Sequence, residues 1–214
     1  MIDLLPPWPL FSTFLMASLV LALTPGPGVL YIVARSLVQG RRSGMVSVAG
    51  VALGNLGNAA AAAFGLAALM AMSALLYTAV KFAGAAYLIY LGVQMLRSAP
   101  QATAIDMSAP SPLLRIFREG FFVALVNPKT TLFFAAFLPP FVGQGGQALS
   151  QFLSLGIIFV AIAATTDSVY ALAAGVIAPL VRNTRAQRLG PWLGAIVFIG
   201  LGLFTAFADR LAGV

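Results

Sequence analysis

Cysteine and histidine are both absent from this chain, and charge of either sign is scarce. Without cysteine there are no disulfides and no thiol chemistry, and without either residue the usual donors of transition-metal sites are missing. Twelve basic and five acidic residues among 214 make the chain 8% charged, where a soluble domain carries roughly 25%. So few charges cannot cover a water-facing surface. With 61% hydrophobic residues and a mean hydropathy of +1.00, most of the surface has lipid as its solvent. The net charge of +7 does not signal nucleic acid, because the arginines stand in short segments between apolar runs, where they set topology. No nucleic-acid partner and no bound cofactor or metal is expected.

Six apolar runs follow one another, at 10–34, 44–72, 75–96, 117–142, 149–181 and 192–211. Each reaches the ~20 residues that cross a bilayer core of ~30 Å. Arg35, Arg41 and Arg42 follow the first run, Arg97, Arg115 and Arg118 the third, and Arg182, Arg185 and Arg188 the fifth. The second and fourth connections carry no charge. The stretch before the first run holds Asp3 and three prolines without a basic residue, which reads as a short tail and not as a signal peptide. Such alternation predicts an all-α membrane protein of six transmembrane helices with both termini outside, in a bacterial inner membrane. The third connection, rich in serine and proline between Arg97 and Arg115, divides one transporter domain (1–214) into halves 1–96 and 117–214, joined by the cytoplasmic loop 97–116. Three spans per half make the second half enter the membrane in the opposite sense, a 3+3 inverted repeat. With Phe14 set on Phe117, Pro25 falls on Pro128, so each half opens with an interrupted helix.

Thr24-Pro25-Gly26-Pro27-Gly28 is the first interruption. Its prolines remove backbone donors and its glycines permit unwinding, and freed backbone groups in lipid require protein, water or a ligand as partner. A kink for packing competes with a discontinuous helix lining a cavity, and five successive breakers favour the cavity. Asn127-Pro128-Lys129 is the second. Lys129 stands about 18 Å from the inner edge at 1.5 Å per residue, too deep for its ammonium to reach water at the interface. Asp167 is the acid deep inside an apolar run, at a similar depth to Lys129. A static Lys–Asp bridge and a proton-coupling carboxylate both fit it. Asn55 and Asn58 lie mid-depth in the second run, beside a stripe of small residues including Gly50, Gly54 and Gly65. Their amides need partners, supplied either by substrate or by another helix. The stripe suits internal packing or a homodimer interface equally. All these groups converge on one depth from four helices of both halves, which a purely structural protein has no reason to arrange.

The stretches LALTPGPGVLYIVARSLVQGRRSG (21–44), GVALGNLGNAA (50–60), KFAGAAYLIYLGVQMLR (81–97) and GFFVALVNPKTTLFFAAFLPPFV (120–142) resemble the lysine-exporter superfamily, in particular its homoserine/threonine-exporter branch. The resemblance implies an exporter of amino acids or their analogues driven by the proton-motive force. The family pattern carries Asn after Pro-Gly-Pro, where this chain has Gly28. Under that reading Thr24, Pro25, Gly26, Pro27, Gly28, Asn55, Asn58, Asn127, Pro128 and Lys129 form the substrate site, and Asp167 couples the proton. The expected partners are membrane lipid, a small amino acid and protons. A divalent-cation exporter is the alternative within the superfamily, but one acid without His or Cys makes a poor cage for such an ion. An enzyme or a non-transport membrane subunit is the third reading. The enzyme has only Thr166 and Ser168 beside Asp167 to work with.

Overall fold

The computed structural model describes residues 5–73, 111–143 and 147–174, with isolated helical positions between 75 and 93 and between 196 and 203. Apart from those positions, the predicted third and sixth spans lie outside the described residues, as do residues 97–110 and the arginines of the fifth connection. The described part is helical, with no strand: α1 (Trp8–Leu23), α2 (Pro27–Gln39), α3 (Arg41–Met72), α4 (Leu113–Leu125), α5 (Pro128–Phe137), a 3-10 turn (Pro139–Phe141) and α6 (Ala148–Leu172). By length and composition α3 and α6 each suffice to cross a membrane. The pairs α1/α2 and α4/α5 suffice when each is taken as one bent span, giving four candidate crossings among the described residues.

Both sequence interruptions are breaks in the backbone. The axis turns by 48° between α1 and α2 and by 45° between α4 and α5. Pro27 and Pro128 each take a first-turn position, where a helix has no acceptor for the missing N–H. Gly26 ahead of Pro27 is extended, and so is Asn127 ahead of Pro128, as the proline ring requires of the residue before it.

The first connection is shorter than the arginine pattern predicts. α2 runs through Arg35 to Gln39, and Gly40 alone, at φ 82°, turns the chain into α3. Apolar runs mark where lipid ends, whereas a helix continues until a residue in the left-handed region stops it, and Gly40 is that residue. Arg35 is therefore a helical residue, not a loop residue, and it is buried.

α3 lies at the centre, packed against α2, α4, α5 and α6. Its small-residue stripe is spent largely on α4. A Cβ at Gly50 would land on the carbonyl oxygen of Phe117, and one at Gly54 on that of Phe121. In return, a Cβ at Gly120 would come within 3.0 Å of the Ser47 carbonyl. Such close backbone approach is how helices associate where lipid tails compete for apolar side chains. The homodimer reading thereby loses these two glycines as its ground. At Gly65, farther along, a Cβ would meet nothing within 4 Å among the described residues.

A second cluster fills the far end of the bundle. Phe14, Phe133, Phe134, Phe137, Phe141, Phe152 and Phe159 are all at most 3% exposed. Phe133 lies 4.7 Å from Phe137 and 5.0 Å from Phe159, ring centre to centre, and Phe14 meets Phe141 edge-on at 5.5 Å. Outside this core, Trp8, Met16, Phe64, Leu114, Phe122 and Ile157 are exposed. An exposed apolar rind of this kind suits a lipid-facing or helix-facing surface.

Candidate functional site

The two breaks face one another, and three of their four loose helix ends are closed by side chains. At the end of α1, Thr24 donates its hydroxyl to the Val20 carbonyl at 2.8 Å. Lys129 donates to the Leu21 carbonyl at 3.0 Å and to that of Thr24 at 2.6 Å. The Tyr170 hydroxyl donates to the Leu23 carbonyl at 2.8 Å. A cation at a helix C-terminus also meets the negative end of the helix dipole. At the end of α4, the Asn58 amide donates to the Ala124 carbonyl at 2.9 Å. At the start of α5, the Asn127 side chain accepts from the Lys129 backbone N–H at 3.0 Å and donates to the Thr130 hydroxyl at 3.2 Å.

Between the breaks lies a cavity of about 40 Å³, room for a few waters. Thr24, Gly26, Gly28, Asn55, Asn127, Lys129 and Asp167 line it, closed off by Val51 and Phe159 among others. Seven of the eleven residues singled out from the sequence thus meet in one place. Pro25, Pro27 and Pro128 are exposed; they create the breaks without lining the space. Asn58 is buried away from the lining and serves α4. Of the two readings open for the asparagines, it takes the interhelical one. Asn55 differs: it is 6% exposed, and its Oδ1 has no hydrogen-bond partner among the described residues.

Lys129 and Asp167 face the same cavity, yet no ion pair joins them among the described residues. Lys129 directs its ammonium to the carbonyls of α1, and Asp167, 5% exposed, looks into the cavity from α6. A direct static bridge is therefore not what holds them.

One charged group is not apparent from the sequence pattern. Glu119, near the start of the fourth run, binds Arg35 at 2.6 Å and Arg115 at 2.9 Å. The Tyr31 hydroxyl donates to Glu119 at 3.0 Å and to the Ile116 carbonyl at 2.9 Å. Arg35 also donates to Gln39 at 3.0 Å. Glu119 sits one turn from Arg115 and is hidden among the arginines around it. The available signal is a carboxylate in a helix whose other charged residues, Arg115 and Arg118, are basic.

Two interrupted helices meeting at a polar cavity inside an apolar bundle make the architecture of a membrane translocator. The family model for LysE type translocators matches residues 19–208, and the chain belongs to that family. It is 32% identical over 180 residues to the homoserine/homoserine lactone efflux protein of Salmonella typhimurium, covering 84% of this chain and 82% of that one. It is 28% identical over 201 residues to the threonine efflux protein of Escherichia coli (91% and 96% covered). A membrane protein of Pseudomonas aeruginosa is 35% identical over 214 aligned residues, covering 94% of each. No solved structure matches the chain. The family and these efflux relatives are transporters, which agrees with the homoserine/threonine branch suggested by the sequence motifs.

Proposed function

We propose that this protein exports amino acids or close analogues from the bacterial cytoplasm by proton antiport. In this reading six spans form a 3+3 inverted repeat across the inner membrane, with both termini on the periplasmic side. The observation that carries it is the shared cavity, lined by residues of both helix breaks together with Lys129 and Asp167. A zwitterion needs donors and acceptors within a few ångströms of each other in a water-poor place, and the broken helices supply them without added charge. Asp167 takes the proton in one orientation and releases it in the other, which shifts the populations of inward- and outward-facing states. The relatives' names, homoserine and threonine efflux proteins, favour a small neutral amino acid as cargo.

The test is counterflow in proteoliposomes of the purified chain. Vesicles are loaded with one amino acid at a time from a panel of neutral, basic and acidic kinds. Accumulation of label with a small neutral member is the expected result. Exchange of no member, with a divalent cation moving instead, would contradict the proposal.

A further inference from the structure

Of the four helix ends created by the two breaks, three are closed by side chains and one is open. Lys129, Thr24 and Tyr170 close α1, Asn58 closes α4 and Asn127 closes α5. The start of α2 has no such cap. Pro27 has no N–H to offer, and Leu30 donates back to the Gly26 carbonyl at 3.0 Å. The N–H groups of Gly28 and Val29 lie between them, in the turn where a helix supplies no acceptor. No acceptor meets them among the described residues. Both residues line the cavity.

A second observation points to a ligand at the same place. Asn55 stands one helical turn beyond Val51, whose side chain lies 3.3 Å from where a Cβ on Gly28 would be. The absence of a side chain at Gly28 is thus what brings the α2 backbone against this part of α3. Asn55 is only 6% exposed, and its Oδ1 lacks any partner among the described residues. A buried acceptor left unmet is costly, so a site that keeps one suits a ligand that meets it.

We infer that the open start of α2 and Asn55 together form the seat for the α-amino-acid head group: the carboxylate on the N–H groups of Gly28 and Val29, the ammonium on Asn55 Oδ1. Unpaired N–H groups at the positive end of a helix suit a carboxylate. The Lys129 ammonium lies close by, 3.6 Å from where a Cβ on Gly26 would stand, and it adds positive charge to that side. The two charged ends of an amino acid are separated by one carbon, which matches adjacent donor and acceptor surfaces. Asn55 holds the ammonium without a formal charge, so Asp167 is left free for the proton. This inference rests on the amino-acid reading above and sharpens it to cargo with both a free carboxylate and a free ammonium.

The experiment is competition against labelled threonine counterflow, with threonine amide and N-acetylthreonine as probes. In the wild-type chain each probe is expected to compete about tenfold or more weakly than threonine, since each loses one charge-assisted contact. In Asn55→Leu the affinity for threonine is expected to fall about tenfold. The penalty for N-acetylation should then nearly vanish, while the penalty for the amide persists. Either probe competing as well as threonine in the wild type would overturn the inference while leaving the exporter reading intact. Loss of the N-acetyl penalty in Asp167→Asn, with its retention in Asn55→Leu, would move the ammonium to Asp167 and overturn it too. Exchange of no amino acid at all would instead overturn the parent reading and the inference together. If Asn55→Leu does not fold, the wild-type probe series still decides.

Discussion

Lys129 bonds through two of its three ammonium protons to carbonyls of α1, while its side chain also borders the cavity. Substituting Lys129→Met leaves the Thr24 carbonyl without its partner at the break, whereas that of Leu21 keeps the Thr24 N–H at 3.2 Å. A loss of about 1–3 kcal/mol is expected, the cost of one unmet buried group. It should be read as a lowered melting temperature of the protein in detergent. Tyr170→Phe removes a single bond, to Leu23, and should cost about 1 kcal/mol in the same assay. Lys129 and Asp167 are legible in the sequence because a charge deep in an apolar run is an outlier on energetic grounds alone. What composition cannot tell is which partner a buried polar group finds. Asn55 and Asn58 lie three residues apart on one helix, yet one meets a carbonyl of α4 and the Oδ1 of the other meets nothing among the described residues. Glu119 is inconspicuous for the opposite reason, since near the edge of a run among arginines a carboxylate is no outlier.

At the level of the helix, the breaks are legible in the residues themselves because proline acts locally: it removes a donor wherever it stands. Helix length is less legible, since Gly40 ends α2 by its backbone conformation and not by its polarity. The stripe on α3 shows the same limit. Small residues announce close approach but not the partner, and α4 takes Gly50 and Gly54 while a Cβ at Gly65 would meet nothing among the described residues. The contrast gives a sharp expectation. Gly50→Ala and Gly54→Ala drive a methyl group into the backbone of α4 and should each destabilise by about 1–3 kcal/mol. Gly65→Ala meets nothing among the described residues and should be neutral or stabilising by up to about 1 kcal/mol, since alanine favours helix. Melting temperatures of the three variants in one detergent decide it; a Gly50→Ala chain as stable as the Gly65→Ala chain would refute the packing described.

For the molecule as a whole, the Tyr31–Arg35–Glu119 cluster ties the first broken span to the second, since α2 carries the tyrosine and arginine and α4 the carboxylate. Arg35 is 4% exposed, so removing its partner strands a buried charge. Arg35→Ala and Glu119→Ala should show a coupling of about 1–3 kcal/mol in a double-mutant cycle on thermal stability. Additive losses would mean that the pair does not lock the two spans together. Topology has an equally direct check because the native chain lacks cysteine. In intact cells an impermeant thiol reagent should label a single cysteine in the tail before α1, while one at Gln39 should react only once the membrane is opened. Labelling of both from outside would contradict the orientation drawn from the arginines.

The central claim is that Asp167 exchanges a proton for an amino acid moving outward, and one measurement tests it most directly. Proteoliposomes preloaded with labelled threonine are subjected to an imposed pH gradient, and efflux is compared between the wild type and Asp167→Asn. Acceleration by the gradient in the wild type, lost in the variant, is the expected result. Efflux that ignores the gradient in both, or gradient-driven efflux that survives in Asp167→Asn, would contradict the assignment of Asp167 as the coupling group.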